Sequence, residues 1–561
     1  MLRTLIKELL GRSKSGARAG RASTPEQTGA PAADVPALLE RGYSSLLAED
    51  YAGARRMGRE VLSREPGHEG AHLLVAQACA AAGDTASAME CIERLLALNP
   101  RHAEAYYVRG MIRDQQGRPG EAIGDYDRTL EYDPSHAAAL DRKGAAHDQL
   151  GEFEQSLACA RRLIELDERN ADGHHKLGLM LRELGRLEEA ERALRRAMAL
   201  QPELPEISCH LALVLIDRGR FEEAEGVLSR VLEGSPDHVE ARWTMALGYL
   251  LQGRFEAGWK YYGSRETRRN ASRRRHDLPE WDGSPIADGS LLIYSEQGLG
   301  DEIMFASCVP DAMRRAASCV IECEPRLEAI FRRSFPAAIV SGAGGGRPPE
   351  WLRQIMPPVV AQIATGSLPA LFRNRWADFP QHHGYLAADA ARVAYWRERL
   401  HALGPGLKVG LAWVGGTLKT RRRLRSIDLA ELRPLLATKG ACFISLQYVE
   451  SEREIANLRE WHGLVVHHWP EAIRDYDETA ALVMALDIVV SVCTAAVHLA
   501  GALGKPVWIM APASPEWRYL RCGDSMPWYP SARLWRQARA GDWQSVIQQI
   551  SEQLPRWPAG A

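Results

Sequence analysis

Three short stretches in the second half of this 561-residue chain combine glycines, charged side chains and small polar residues in patterns suited to anion chemistry. The first, SEQGLGDE (295–302), sits between an apolar run and a helix expected to start near Asp301. Gly298 and Gly300 let the backbone approach a ligand, and a helix N-terminus favours anions. Asp301 is then either the cap of that helix or a carboxylate aimed into a cleft as general base. The second, WVGGTLKTRRRLRS (413–426), offers Gly415, Gly416, two threonines including Thr417, and five basic residues from Lys419 to Arg425. Backbone N–H groups and guanidinium forks in such a loop suit a diphosphate and would neutralise a leaving nucleotide without a metal. The competing account is a solvated basic loop. The third, SVCTAAVHLAGALGKPVW (491–508), ends a strand at Cys493 and opens a small-residue helix at Thr494 and Ala495. That helix start is a ready phosphate site. His498, one turn in, either donates to phosphate or sugar or is a structural histidine.

These stretches need strands to hold them. Short apolar runs occur at 291–294, 319–322, 337–340, 408–413, 442–447, 464–469, 487–492 and 506–511, with helix-like segments between many of them. The alternation predicts an α/β arrangement with parallel sheets, in two halves dividing near 385–405. Ligands of such folds bind at the C-terminal ends of the strands.

The first half of the chain has a different rule. Gly83, Gly117, Gly151, Gly185, Gly219 and Gly253 recur at a step of 34 residues, as do Pro66, Pro100, Pro134, Glu168, Pro202 and Pro236. Two further columns hold only small residues: Ala76, Gly110, Gly144, Gly178, Ala212, Ala246, and Ala88, Ala122, Ser156, Ala190, Ala224, Gly258. A 34-residue period with small residues in register is that of the tetratricopeptide repeat, a helical hairpin that stacks into a solenoid. Six repeats are expected within residues 37–263, followed by a solvated linker at 264–290 that carries the basic run RRNASRRRH. Tyr106, Tyr107, His174, His175, Arg242 and Trp243 fall on repeat helices, where exposed aromatics would serve a groove that holds an extended peptide, and buried ones would be core.

At GLGDEIMFA, WVGGTLKTRRRLRSI and SVCTAAVHLAGALGKPVW the chain resembles the heptosyltransferases of glycosyltransferase family 9, above all bacterial proteins that fuse tetratricopeptide repeats to such a domain. The order of parts is also similar to that of protein O-linked N-acetylglucosamine transferase. The resemblance implies an α-solenoid followed by a GT-B transferase of two Rossmann-like lobes, an acceptor lobe at 291–390 and a nucleotide-sugar lobe at 400–555. It implies Asp301 as general base, Arg425 at the diphosphate, Thr494, Ala495 and His498 as donor contacts, and Gln447 near the nucleotide. It implies inversion at the anomeric carbon, with no cofactor and no required metal. The family pattern has aspartate where this chain has Cys493, a departure that bears on the donor and on activity.

Composition narrows the rest. A net charge of −2 and a pI near 6.8 imply no binding of polyanions by the chain as a whole. The basic run lacks the interleaved aromatics of a nucleic-acid site. Ten cysteines form no disulfide or metal framework, Cys319 and Cys323 included, so a reducing, cytoplasmic compartment is expected. No stretch is apolar for the roughly 18 residues of a membrane span. Residues 1–36 are expected to be a short amphipathic stretch and a disordered linker without membrane contact. Two function classes follow. One is a glycosyltransferase that moves a sugar from a nucleotide-sugar donor to a protein or large glycan recruited by the repeats, its catalytic half separable from residues 1–263. The other is a repeat scaffold around a degenerate transferase domain. A lipopolysaccharide heptosyltransferase proper has no evident need of six repeats, and a homodimer through the repeats stays open.

Overall fold

The computed structural model describes residues 34–268, 277–342, 350–417 and 420–557. Lys419, most of the basic run at 268–276 and most of residues 1–36 lie outside the described residues. Contacts divide the chain into two units, Met1–Leu184 with Ala199–Gln201, and Gly185–Met198 with Pro202–Ala561.

In the first unit, four helical hairpins run from Val35–Leu47 and Tyr51–Arg64 to Ala137–Leu150 and Phe153–Leu166, and the helix Ala171–Glu183 follows. The glycine ladder lies at the inter-helix turns: Gly83, Gly117 and Gly151 all have φ between 72° and 83°, which costs glycine nothing. One hairpin more than the six expected begins the array. Its turn residue, Glu49, stands 34 residues before Gly83 and takes the same left-handed conformation at φ 64°. Small columns mark the helix crossings: a Cβ on Gly110 would lie 2.7 Å from the Tyr126 ring, and one on Gly144 would lie 3.3 Å from the Cys159 Cβ. Another 34-residue ladder went unread in the sequence. His68, His102 and His136 cap the first helix of their hairpins, each Nδ1 accepting from the backbone N–H three residues on. Asn170 takes over that role at the next position. Tyr107 is core, while Tyr106, His174 and His175 are half-buried.

The second unit opens with the repeat helices Leu187–Leu200 to Phe255–Tyr262 and continues into two parallel sheets. The strands are β1 (Ile286–Tyr294), β2 (Ala316–Cys323), β3 (Ile339–Gly342), β4 (Val359–Ala364), β5 (Leu407–Ala412), β6 (Ala441–Ser445), β7 (Val466–His467), β8 (Ile488–Val492), β9 (Val507–Ala511) and β10 (Ala532–Arg536). They are ordered β3-β2-β1-β4 and β10-β9-β8-β5-β6-β7. The helix Ala390–His401 lies in the chain between the sheets. β4 and β10 were absent from the sequence expectation. β4 carries the polar Gln362, buried because its amide donates to the Leu278 carbonyl, and β10 is interrupted by arginines. Val409, Leu411, Val490, Val492, Met510 and Trp535 form the apolar floor of the second sheet with Ile547 and Ile550 of the last helix.

The segment 264–290 is not a free linker where it is described. Arg265 is buried, its guanidinium on Glu296 and Ser367, and Trp281 is buried with its backbone N–H on the Gln362 carbonyl. Arg268 makes a two-pronged bond to Glu240 and lies over the Trp243 ring. The last repeats are likewise built into the sheet domain. Trp259 Nε1 donates to the Arg373 carbonyl at 2.8 Å, and Trp259 and Tyr262 meet Trp517 edge-on. Asp217, at the end of a repeat helix, accepts from Arg421 Nη1 with both carboxylate oxygens at 3.1 Å.

Candidate functional site

All three motifs stand at strand C-termini of the second unit. The loop after β1 leads into the helix Leu299–Phe305, capped by Gly298, with Asp301 in its first turn. The loop after β5 carries Gly415, Gly416 and Thr417. β8 runs into the helix Ala495–Ala502, whose cap Thr494 accepts from the Ala496 N–H at 3.2 Å.

Two glycines bring the motifs together. A Cβ on Gly300 would come within 3.0 Å of the His498 ring and 3.5 Å of the Ala495 Cα, so the first and third motifs touch through a residue without a side chain. A Cβ on Gly415 would lie 2.8 Å from the Cys493 carbonyl and 2.9 Å from that of Arg425, which joins the second to the third. Gly416 has φ 72°, and the Arg425 guanidinium lies directly over its α-carbon. Tyr448, largely exposed, donates to the Gly416 carbonyl at 3.2 Å.

Asp301 does not stand alone. Arg518, in the loop after β9, donates to its carboxylate, holds Glu516 at 2.6 Å through its other terminal nitrogen, and lies over the Trp517 ring. Glu516 is also ion-paired with Arg425. One carboxylate therefore joins two guanidinium groups, and a second carboxylate closes the chain Arg425–Glu516–Arg518–Asp301. The Nε atoms of Arg425 and Arg518 are buried without a hydrogen-bond partner. Burial raises the pKa of Asp301 above the ordinary carboxylate value; Arg518 opposes the rise and Glu516 adds to it. Burial works against the charge of Arg518, yet Asp301 and Glu516 hold its pKa well above the usual value.

His498 is buried between two tyrosines, Nδ1 at 3.0 Å from the Tyr529 hydroxyl and Nε2 at 3.4 Å from that of Tyr519. Burial, with the charges of Arg518 and Arg425, pushes its pKa well below the ordinary histidine value, so the ring is neutral. A ligand reaches either nitrogen only by displacing a tyrosine. Cys493 is buried with its thiol near the Met510 carbonyl, and burial pushes its pKa up to about 12, so it carries no charge. Gln447 is buried, and its amide oxygen accepts from the N–H groups of Trp413 and Val414 at 3.1 and 3.0 Å. It shapes the start of the basic loop and offers no free amide oxygen.

Glu516, Arg518, Tyr519 and Tyr529 were missed in the sequence. The available signal was APASPEWRYL, a loop that follows an apolar strand and sets a carboxylate and an arginine two residues apart. Among the described residues, no group of three or more His, Cys, Asp and Glu is placed to hold a metal ion, and no helix is long and apolar enough to cross a membrane.

Tetratricopeptide-repeat family models match residues 76–146, 142–205 and 181–246. Protein FlbA of Caulobacter vibrioides is 34% identical over 316 residues, 53% of this chain and 52% of that protein. The chain thus spans about half the length of the curated relative it matches. Solved structures similar to it include the MamA protein (21% identity, TM-score 0.27, 30% of this chain and 92% of that one). Also similar are YrrB, described as a TPR protein with an unusual peptide-binding site (18%, 0.31, 33% and 95%), and PilW, a type IV pilus biogenesis factor (18%, 0.34, 37% and 96%). Residues 76–246 are thereby tetratricopeptide repeats by family model as well as by hairpin geometry.

Proposed function

We propose that the second unit is a GT-B glycosyltransferase. It would move a sugar from a nucleotide-sugar donor to an acceptor hydroxyl, with Asp301 as general base. The supporting observation is the meeting of four strand-end loops around one carboxylate of raised pKa, two arginines and a helix start, the parts a displacement at an anomeric carbon needs. The acceptor oxygen forms the new bond to the anomeric carbon as the bond to the diphosphate oxygen breaks. The acceptor proton passes to Asp301, and the electron pair leaves with the nucleoside diphosphate. Arg425 and Arg518 stabilise that leaving anion together with the N–H groups at the start of the helix Ala495–Ala502. His498 supports the site from below, through Tyr519 and Tyr529. The repeats, whose family commonly holds protein segments, recruit a protein or large glycan acceptor.

Asp301→Asn tests this reading. The variant should bind a nucleotide sugar within about threefold of the parent, while transfer or donor hydrolysis falls by about 100-fold or more, the scale of general-base catalysis. Retained turnover would remove Asp301 from the role of base. A second reading, a scaffold with a silent transferase domain, is favoured by one feature: Asp301 and both arginines are already engaged with groups of the chain itself. Absence of nucleotide-sugar binding by the parent protein would select it.

A further inference from the structure

We infer that Glu516 is an internal stand-in for the anion that Arg425 and Arg518 take up, and that its displacement by a phosphate-bearing ligand releases Asp301. The inference rests on the transferase reading for the ligand class, a nucleoside diphosphate group, but not for the site itself.

Glu516 bridges the two guanidinium groups, one oxygen on Arg425 and the other on Arg518 at 2.6 Å. The residue belongs to a loop, 512–520, that leaves the sheet after β9, so its carboxylate can swing away without disturbing a strand. The Arg425 and Arg518 guanidinium groups have further contacts of their own. Arg425 lies over Gly416, whose missing side chain makes the space, and donates to Thr420 Oγ1 at 3.2 Å. Arg518 lies over the buried Trp517 ring. Each keeps a buried Nε–H with no acceptor. A single carboxylate with two oxygens leaves those donors unused, whereas a diphosphate presents more acceptor oxygens and a higher charge. A buried donor without a partner is costly, and a ligand richer in acceptors than Glu516 would relieve that cost.

The consequence for Asp301 follows from shared contacts. Arg518 now divides its terminal nitrogens between Glu516 and Asp301. A diphosphate drawing Arg518 toward itself weakens the bond to Asp301 and makes that carboxylate a stronger base only when the donor is in place. Arg518 is thus a positioning residue for Asp301 as well as an anion contact.

Inorganic pyrophosphate is the probe, titrated by calorimetry into the full-length protein and its variants. Glu516→Gln removes the competing charge and should bind pyrophosphate about tenfold tighter than the parent, the scale of one charge-assisted hydrogen bond. Arg518→Gln should bind it about tenfold more weakly. Glu516→Asp keeps the charge but shortens the arm, and should fall between parent and Glu516→Gln; it serves if the neutral variant does not fold. Equal or weaker binding in both Glu516 variants overturns the stand-in. In the Arg518→Lys variant, the acid limb of the transfer rate against pH should move, since one ammonium cannot keep the guanidinium's separate bonds to Glu516 and Asp301; an unmoved limb overturns the coupling. Tighter pyrophosphate binding by Glu516→Gln without any nucleotide-sugar turnover by the parent would keep the anion site and discard the transferase.

Discussion

Asp301, His498 and Cys493 show how far the chemistry of a residue depends on what surrounds it. Asp301 could have been a helix cap from its place in the sequence; in the structure Gly298 caps that helix, and the Asp301 carboxylate faces Arg518. His498 was expected at a phosphate or sugar, and its ring nitrogens instead face Tyr529 and Tyr519. Its burial has a measurable sign. An unfolded histidine takes up a proton near pH 6.5, while the folded ring does so only well below that, so protons favour the unfolded chain once the pH falls below about 6.5. The stability that His498 contributes is complete above that pH and shrinks as the solution becomes more acidic. His498→Gln keeps a donor and an acceptor for the tyrosines but cannot titrate. It should be less stable than the parent by about 1–2 kcal/mol at pH 8, for the poorer hydrogen bonds. That deficit should narrow from about pH 6.5 downward in urea titrations. A deficit constant from pH 8 to pH 5 would mean that the imidazole is not held neutral.

At the scale of elements, most of the architecture was legible because it is periodic. The 34-residue ladder locates the inter-helix turns, and alternating apolar runs locate eight of the ten strands, β4 and β10 being the exceptions. The first hairpin escaped because its turn carries Glu49 where every later repeat has glycine, although Gly42 and Ala54 keep both small columns in register. A side chain in the left-handed region costs roughly 1 kcal/mol relative to glycine. Glu49→Gly should therefore raise the stability of the first hairpin by about that amount, seen as slower amide exchange in Val35–Leu47 and Tyr51–Arg64. Faster exchange would show that the glutamate side chain contributes more than its backbone costs. The site was legible only in part. Loops that begin with glycine after a strand announce themselves, so Gly298, Gly300, Gly415 and Gly416 stood out. Arg518 and Glu516 carry no such signature, and only the return of β9 beside β8 brings them to Asp301 and Arg425. The resemblance implies Gln447 near the nucleotide, and in the structure its amide oxygen accepts from the backbone of Trp413 and Val414.

At the scale of the molecule, the joint between repeats and sheets lies elsewhere than the composition change near residue 264. Phe255, Trp259 and Tyr262 are buried; Phe255 packs on Phe379, and Tyr262 meets Phe305 beside the candidate base. Asp217 holds Arg421 of the basic loop, its carbonyl accepts from Ser514, and the Leu251 carbonyl accepts from the Arg521 N–H. Cutting at 263/264 removes three buried aromatic side chains, each worth about 3 kcal/mol or more, against a total stability of about 5–15 kcal/mol for a domain. It also strips the basic loop of Asp217. A chain starting at 264 should thus fail to give a cooperative thermal transition, while one starting at 185 should unfold cooperatively and keep whatever nucleotide-sugar binding the full chain has. Near-ultraviolet circular dichroism is a direct reporter, because Trp259 and Trp517 sit edge to face in this cluster. Equal midpoints for the two truncations would mean that the last two hairpins are only docked on the sheets. Unequal ones would make them part of the sheet domain, with the basic loop answering to a helix of the repeats through Asp217 and Arg421.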